Sequence, residues 1–412
     1  MPAHEDPKKI VLAYSGGLDT SVILPWLKGR YPGVKLVCFA AELGQGDELD
    51  GIEKKAYESG ADEVIVADLR EQFARDYCFP MLRAHAVYES DYLLGTSIAR
   101  PLIAAHQVRV AHETGADAVG HGATGKGNDQ VRFELTARAL DPSLQIVSPW
   151  KDPQFIADGL TDRETAIAYA KEHGIPVDQT TKKIYSRDRN LWHISHEGAE
   201  IEDPAKEPDW SNCLVMSSRP EDAPDQSQAV EVGFERGNPV SLDGEALPGH
   251  TLIERLNELG GKHGVGLTVL TENRLVGMKS RGVYETPGGT ILYEAHKALE
   301  QLTLERDLFH EKIRLSSRYA QIVYNGQWFH PLREALQAFI DRASEVVTGT
   351  ATVKLYKGKA LAISASSPES LYDEKLASFA MDGYDITAAR GFIDLFGLPM
   401  QVVGMREANR GK

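Results

Sequence analysis

The stretch Ser-Gly-Gly-Leu-Asp-Thr-Ser at residues 15–21 constrains this chain more than any other part of the sequence. It lies between an apolar run at residues 10–14 and a segment of helical periodicity at residues 22–27, so a strand is predicted to enter a helix through two glycines. Such a turn lets backbone N–H groups approach an anion, and the start of the helix adds partial positive charge. An ordinary tight turn capped by Asp19 or Thr20 is the alternative. The flanking hydroxyls favour phosphate binding by this first glycine-rich loop.

The first 150 residues alternate between strand and helix patterns. Short apolar runs predict strands at residues 10–14, 34–40, 64–66, 118–119 and 146–147, and periodic segments predict helices at residues 48–59, 69–77, 98–114 and 131–140. This alternation predicts an α/β fold with an open parallel sheet and helices on both faces. Ligands of such sheets bind beyond the carboxyl ends of the strands. Two glycine-rich stretches follow the first and the fourth predicted strand, which places both at that edge.

The rest of the chain predicts an α+β domain followed by a separate terminal segment. A capping box at residues 161–164 opens a helix to residue 173. After a polar, proline-rich stretch, the patterns predict strands at residues 230–234 and 267–270, helices at 249–259, 295–319 and 332–347, and a hairpin at 353–363. From about residue 371 the chain carries apolar residues in a segment too short to bury them alone, which suggests contact with its own domain or with a partner subunit. The predicted domains are residues 1–174, 175–370 and 371–412.

The amino-acid composition limits the kinds of binding partner and the cellular compartment that we expect for this protein. The formal net charge of −15 opposes a nucleic-acid partner, because binding to a phosphate backbone needs a basic surface. The three cysteines, Cys38, Cys78 and Cys213, form no Cys-x-x-Cys pair, so we expect buried thiols rather than disulfides or a protein-held metal site. The first nine residues lack an apolar core typical of a secretory signal, and no run is long enough to span a bilayer. We therefore expect a cytoplasmic protein without membrane contact.

The second glycine-rich loop, residues 120–128, nearly matches two other motifs. Gly-His-Gly-Ala-Thr-Gly fits a dinucleotide fingerprint, but that motif belongs on the first strand of its unit, and Asp141 begins a turn rather than ending a strand. The same segment fits a Walker A motif until Gly127 occupies the position of the metal-binding hydroxyl. A second ligand loop explains the cluster of polar residues better than a structural turn does. Asn128 and Arg132 share a helix face suited to amino-acid recognition, although an ion pair of Arg132 with Asp129 or Glu134 is the alternative.

Two sets of residues carry a family resemblance. The first glycine-rich loop resembles the PP-loop of ATP pyrophosphatases, which cleave ATP between the α and β phosphates. The stretches His-Gly-Ala-Thr-Gly-Lys-Gly-Asn-Asp-Gln-Val-Arg-Phe-Glu at residues 121–134 and Tyr-Leu-Leu-Gly-Thr-Ser-Ile-Ala-Arg-Pro at residues 92–101 are similar to those of the argininosuccinate synthases. The resemblance runs from about residue 9 to beyond residue 293. It implies a PP-loop nucleotide-binding domain, a synthetase domain and a C-terminal oligomerisation arm that joins subunits into a homotetramer.

The resemblance also implies roles for individual residues. The predicted ATP-binding residues are Ala13, Tyr14, Ser15, Gly16, Gly17, Leu18, Asp19, Thr20, Ser21, Ala41 and Gly122. The predicted citrulline-binding residues are Tyr92, Ser97, Asn128, Arg132, Ser186, Ser195, Glu272 and Tyr284, and the predicted aspartate-binding residues are Thr124, Asn128 and Asp129. The predicted catalytic set combines the phosphate-binding residues with a candidate base: Ser15, Gly16, Gly17, Asp19, Thr20, Ser21 and Asp129.

The implied reaction joins L-citrulline to L-aspartate at the expense of ATP, which enters with Mg²⁺. The ureido oxygen of citrulline attacks the α-phosphorus and releases pyrophosphate, and the amine of aspartate then displaces AMP from the citrullyl-adenylate. The first glycine-rich loop is expected to stabilise charge on the pyrophosphate. Two alternatives stay open: a tRNA-modifying PP-loop enzyme, which calls for basic patches and often paired cysteines, and a non-catalytic ATP-binding regulator, which leaves the polar residues of the second domain without a role.

Overall fold

The computed structural model describes residues 5–175, 185–377 and 384–411. Its N-terminal part is built on a parallel sheet with the strand order β3-β2-β1-β4-β5. The strands are β1 (Lys9–Ala13), β2 (Lys35–Glu42), β3 (Glu63–Asp68), β4 (Ala118–His121) and β5 (Gln145–Val147). The predicted parallel sheet is thereby confirmed, and β1 is its central strand. The chain crosses from one side of β1 to the other between β3 and β4.

Both faces of this sheet are covered, because alternate residues of β1 enter different cores. The helices here are α1 (Leu18–Ser21), α2 (Ile23–Arg30), α3 (Ile52–Glu58), α4 (Arg70–Phe73), α5 (Phe79–Arg83), α6 (Gly95–Thr114), α7 (Asp129–Leu140), α8 (Pro153–Ala157) and α9 (Arg163–Glu172). Ile10 and Leu12 pack into one apolar cluster with α2 and α9, whereas Val11 packs into a second cluster with α6. The second cluster continues into the following domain, so the two domains share one core.

Three helix predictions in this part are wrong in detail. The helix expected at residues 48–59 begins only at α3, because a 3₁₀ turn, Gly46–Leu49, precedes it. The helix expected at residues 69–77 continues through a π turn, Ala74–Cys78, into α5. The capping box lies one residue later than predicted: the Asp162 side chain accepts from the backbone of Thr165, and Thr165 Oγ1 in turn accepts from Asp162 N–H.

The second part contains two antiparallel sheets, with the orders β10-β9-β8-β13-β14 and β11-β12-β7-β6. The strands are β6 (Ser186–Arg189), β7 (Ile194–Glu197), β8 (Gln228–Glu235), β9 (Asn238–Leu242), β10 (Glu245–Ala246), β11 (Leu267–Asn273), β12 (Lys279–Glu285), β13 (Gly349–Tyr356) and β14 (Lys359–Ser366). The predicted strands at 230–234 and 267–270 and the predicted hairpin are confirmed. The sequence did not predict β6 and β7, because neither Ser-Arg-Asp-Arg nor Ile-Ser-His-Glu offers a run of alternating apolar residues.

The helices of the second part pack against these sheets. They are α10 (Trp210–Cys213), α11 (Gly249–Lys262), α12 (Pro287–Thr303), α13 (Arg306–Tyr324) and α14 (Pro331–Ser344), with 3₁₀ turns at Ala199–Glu202 and Pro220–Asp222. The single helix predicted at residues 295–319 is wrong, because α12 ends and α13 begins within it. Glu305 causes the new start, since its carboxylate accepts from the backbone N–H groups of Asp307 and Leu308.

The chain divides into two compact units, Met1–Glu369 and Ser370–Lys412. The second unit contains α15 (Glu374–Ala377) and α16 (Ala388–Arg410), and its large apolar side chains are exposed. All three cysteines are buried free thiols, as predicted. Within the described ranges, the helices are too short or too polar to cross a membrane. The predicted limits at residues 174 and 370 stay predictions, and residues 176–184 lie outside the described part of the second domain.

Candidate active site

The first glycine-rich loop leaves the central strand and becomes a helix within four residues. Gly16 adopts φ +71°, which a residue with a side chain rarely adopts, and Gly17 is the N-cap of α1. The alternative that Asp19 or Thr20 is the N-cap is therefore wrong. Ser15 Oγ accepts from Gly17 N–H at 3.3 Å and lies 3.2 Å from Thr20 Oγ1. The N-cap itself has no side chain, so the start of α1 is left open to an anion.

The second glycine-rich loop leaves the neighbouring strand at the same edge. β4 pairs with β1 in parallel, and His121 lies beside Ala13 in the register. The two loops touch, because a Cβ atom added to Gly122 would lie 2.8 Å from Thr20 Cγ2. Ala41 is the penultimate residue of β2, the other strand beside β1, and lies at the same edge. The predicted ATP-binding residues are thus brought together at the point where the strand order reverses, the usual ligand site of an open α/β sheet.

A buried hydrogen-bond chain links the second loop to the second domain. Asn128 Nδ2 donates to the hydroxyl of Tyr324 at 2.8 Å, and this hydroxyl donates to Glu272 Oε1 at 2.8 Å. All three side chains are buried. Among the described atoms, Asn128 Oδ1 and Glu272 Oε2 have no hydrogen-bond partner. Because buried acceptors are rarely left unpaired, these two oxygens indicate a ligand that donates hydrogen bonds.

Arg132 lies beside this hydrogen-bond chain, and its guanidinium has more N–H groups than these contacts use. Its guanidinium donates to Asp129 Oδ1 at 2.9 Å and, through two further N–H groups, to the carbonyl of Tyr324 at 3.2 and 3.4 Å. The group also lies over the Tyr324 ring, 5.2 Å from its centroid. A guanidinium has five N–H groups, and three are used, which leaves two for a ligand carboxylate. The ion pair with Asp129, which the sequence offered as an alternative, and a ligand-binding role are therefore compatible.

Asp129 lies between two arginines. Arg132 contacts one carboxylate oxygen, and Arg100 donates to the other at 2.9 Å and also contacts Asp188 on β6. Burial by itself raises the pKa of Asp129, but the two guanidinium groups outweigh it and hold the pKa below its usual value. A carboxylate stabilised in this way accepts a proton poorly. The structure therefore does not support the predicted role of Asp129 as a base, whereas a role in orienting the loop fits its contacts.

One face of the sheet β11-β12-β7-β6 carries the predicted residues of the second domain. Ser195 pairs with Tyr284 across β7 and β12, and cross-strand partners point to the same face. Side chains two residues apart in a strand point to the same face of a sheet. Through the pairing of β11 with β12 and of β6 with β7, Glu272 and Ser186 therefore lie on this face too. Ser195, Tyr284 and Glu272 are buried, whereas Ser186 is exposed at the edge strand. The four residues thus share a face although they are far apart in sequence.

The two predicted residues near the start of α6 complete the cluster. The ring of Tyr92 lies 4.8 Å from the ring of Tyr284, and its hydroxyl accepts from Thr96 N–H at 3.2 Å. Burial raises the pKa of Tyr92 to about 12, so its hydroxyl stays protonated. Ser97 is fully buried one residue further along. The structure therefore brings Tyr92, Ser97 and the face around Tyr284 to one place.

Comparisons with known proteins identify the family of this chain. A family model described as the Arginosuccinate synthase N-terminal HUP domain matches residues 9–176, and the model for the Arginosuccinate synthase C-terminal domain matches residues 185–403. The chain belongs to the argininosuccinate synthase family. The family resemblance predicted from the sequence is thus confirmed, as is the enzyme class, an ATP-dependent ligase.

Individual argininosuccinate synthases are similar over almost the whole chain. The one from Carboxydothermus hydrogenoformans is 55% identical over 401 residues, which cover 97% of this chain and 98% of the relative. The one from Pelotomaculum thermopropionicum is 55% identical over 404 residues, covering 98% and 99%. A chloroplastic one from Arabidopsis thaliana is 56% identical over 400 residues, covering 97% of this chain and 80% of the relative.

Several residues that shape the site carry no recognisable signal in the sequence. Tyr324 ends an amphipathic helix and looks like a core residue in the sequence, and Arg100 and Asp188 are separated by 88 positions. On the outer side of α7, His121 and Lys151 contact Glu134, and these hydrogen bonds lower the pKa of Glu134 to about 2. No pattern in the sequence signals these partners. The side chain of Thr124, a predicted aspartate ligand, is exposed in the second loop.

Proposed function

We propose that this protein catalyses the ATP-dependent condensation of L-citrulline and L-aspartate to argininosuccinate, releasing AMP and pyrophosphate through a citrullyl-adenylate. It thereby serves arginine biosynthesis or the urea cycle. Membership of the argininosuccinate synthase family supports this reaction. The observation that carries the residue assignment is the contact between the two glycine-rich loops, where Gly122 meets Thr20 at the switch point of the sheet. One loop is suited to phosphates, and the other leads directly into the amino-acid pocket.

In the proposed mechanism, the first loop binds the phosphates that leave. The open start of α1 and the hydroxyls of Ser15 and Thr20 lie at the edge where the nucleotide is expected. They stabilise negative charge as it develops on pyrophosphate. ATP enters as its Mg²⁺ complex, in which the phosphates and water supply most of the metal ligands, and the oxygen-rich loop is compatible with that complex. A ureido carbon is a poor electrophile, so adenylation of its oxygen precedes the attack by aspartate.

Citrulline is held at both charged ends of its amino-acid group. The two free N–H groups of Arg132 bind the α-carboxylate, and the unpaired oxygens of Asn128 and Glu272 accept from the α-ammonium. Tyr92, Ser97, Ser186, Ser195 and Tyr284 line the rest of the pocket. Aspartate binds at Thr124, Asn128 and Asp129. Holding the substrates next to each other supplies much of the rate acceleration.

We also propose a cytoplasmic location and a homotetramer. Three buried free thiols suit a reducing compartment, although the Arabidopsis relative is chloroplastic by its name. The exposed apolar side chains of α16, among them Phe392 and Phe396, suit burial against another copy of the chain. The predicted oligomerisation arm at residues 371–412 rests on these side chains and on the family resemblance.

The test is to measure the products formed from ATP. AMP and pyrophosphate are expected in equal amounts, and only when citrulline and aspartate are both present. Release of ADP and orthophosphate would contradict the proposal. Turnover that requires tRNA would support the tRNA-modifying alternative, which the net charge of −15 already opposes. ATP binding without turnover would support the regulator.

A further inference from the structure

The hydroxyl of Tyr324 has a single proton to donate, and its two neighbours decide where that proton goes. An ionised carboxylate can only accept, so the proton lies toward Glu272 Oε1. The hydroxyl oxygen must then accept from Asn128, which can do so only by turning its NH₂ group toward Tyr324. The direction of each hydrogen bond in the chain is therefore fixed by the one before it.

This chain determines which atom Asn128 presents to the pocket. A free amide can rotate and offer either its oxygen or its NH₂ group. With the NH₂ group held by Tyr324, Asn128 Oδ1 is turned away from Tyr324, and this buried oxygen and Glu272 Oε2 both lack partners among the described atoms. Two unpaired acceptors on the same chain suit a donor-rich cation such as the α-ammonium of an amino acid.

We propose that Tyr324 is a positioning residue that sets the polarity of the citrulline pocket. It makes Asn128 an obligatory acceptor and so selects substrates that carry an α-amino group. This inference rests on the proposed function and adds to it a residue that determines specificity without touching the reacting atoms. The backbone carbonyl and the ring of Tyr324 support Arg132, which binds the α-carboxylate of the substrate. The carbonyl accepts from Arg132, and the ring lies under its guanidinium.

The separation of roles within Tyr324 allows a selective test. Tyr324→Phe removes the hydroxyl but keeps the ring and the carbonyl that hold Arg132. The control is Tyr319→Phe on the same helix, where a buried tyrosine loses a hydrogen bond of 2.6 Å to Gln337 outside the site. The substrates are citrulline and 5-ureidopentanoate, which is citrulline without its α-amino group. The readouts are KM and kcat for each, together with KM for ATP.

The wild-type enzyme must first produce AMP and pyrophosphate with citrulline and aspartate, which tests the proposed function separately. Tyr324→Phe is then expected to raise KM for citrulline about ten-fold, as for loss of a hydrogen bond to a buried charged group, and to reduce the preference for citrulline over 5-ureidopentanoate by a similar factor. KM for ATP should stay within about two-fold, and Tyr319→Phe should resemble the wild type. Unchanged preference in Tyr324→Phe, or an equal rise in KM for citrulline and for ATP, would overturn the proposal.

A second variant keeps the inference testable if Tyr324→Phe does not fold. Asn128→Asp retains an oxygen acceptor and adds negative charge, so a pocket that needed only acceptors would bind citrulline equally well or more tightly. If Asn128 must donate to Tyr324, the carboxylate introduced by Asn128→Asp cannot donate, and KM for citrulline rises instead. Equal or tighter binding of citrulline by Asn128→Asp would contradict the role of Tyr324.

Discussion

A Cβ atom on Gly122 would lie 2.8 Å from Cγ2 of Thr20, so the two glycine-rich loops are in contact at the edge of the parallel sheet. Gly122→Ala is expected to push the loops apart and to lower kcat/KM for ATP by about ten-fold or more, because small displacements of bound groups are costly. The matched control is Gly127→Ala in the same loop, where the nearest atoms are 4.0 Å from the added Cβ. Equal activity of the two variants would contradict a shared nucleotide site.

The first loop should lose its function when Gly17 acquires a branched side chain. The backbone of Gly17 is extended, with φ −71° and ψ 166°, so valine is tolerated by the local conformation. Its side chain, however, occupies space that the phosphates need, and pyrophosphate release is expected to be abolished in Gly17→Val. A pyrophosphate-release assay and a thermal melt check this. Normal turnover by a folded variant would refute the loop assignment.

Arg132→Leu is expected to weaken citrulline binding while sparing ATP. KM for citrulline should rise by about ten-fold or more, because a charged hydrogen bond to the carboxylate is lost. Since Arg132 is also buried against Asp129, a lower melting temperature is expected too. Arg138→Leu, on the exposed side of the same helix, controls for loss of charge. Citrulline dependence equal to that of the wild type would remove Arg132 from the pocket.

Citrulline binding should depend on the ionisation of Glu272. Burial raises the pKa of Glu272 above its ordinary value of 4.5, against the lowering effects of the Tyr324 hydrogen bond and Arg132. Glu197 raises the pKa further, and Arg274 lowers it. The carboxylate form exists above the pKa, so affinity for the α-ammonium is lost as the pH falls through that raised value. KM for citrulline, measured between about pH 5 and pH 8, should rise toward acid earlier than an ordinary glutamate allows. In Glu272→Gln, KM for citrulline should be high and should not show the pH dependence caused by this ionisation.

The exposed apolar side chains of α16 should matter for assembly rather than for the fold of the first unit. Phe392 and Phe396 are more than half exposed, and their rings stack with centroids 5.3 Å apart. Phe396→Glu is expected to reduce the molar mass measured by light scattering, because a buried unpaired charge opposes subunit contact. Glu407→Gln on the same helix is the control for surface change. A full-size assembly in Phe396→Glu would contradict the proposed arm.

The sequence alone determined the parallel sheet, the loop after its first strand and the family, because these depend on local patterns. Apolar runs of strand length, a Gly-Gly turn and helical periodicity are all readable from neighbouring residues. Local patterns failed where a single side chain changed the backbone path, as Glu305 does between α12 and α13, and where strands were polar, as in β6.

Only the tertiary structure decided how the pocket is arranged. Tyr324 is 196 positions from Asn128 and 52 from Glu272, and it joins them through one hydroxyl. The tertiary structure likewise places Asp129 between Arg100 and Arg132, and Asp129 is therefore a weak base. Hydrogen-bond direction and pKa depend on which groups approach within a few ångströms. That proximity is produced by the packing of distant elements and is not encoded in any short stretch of the chain.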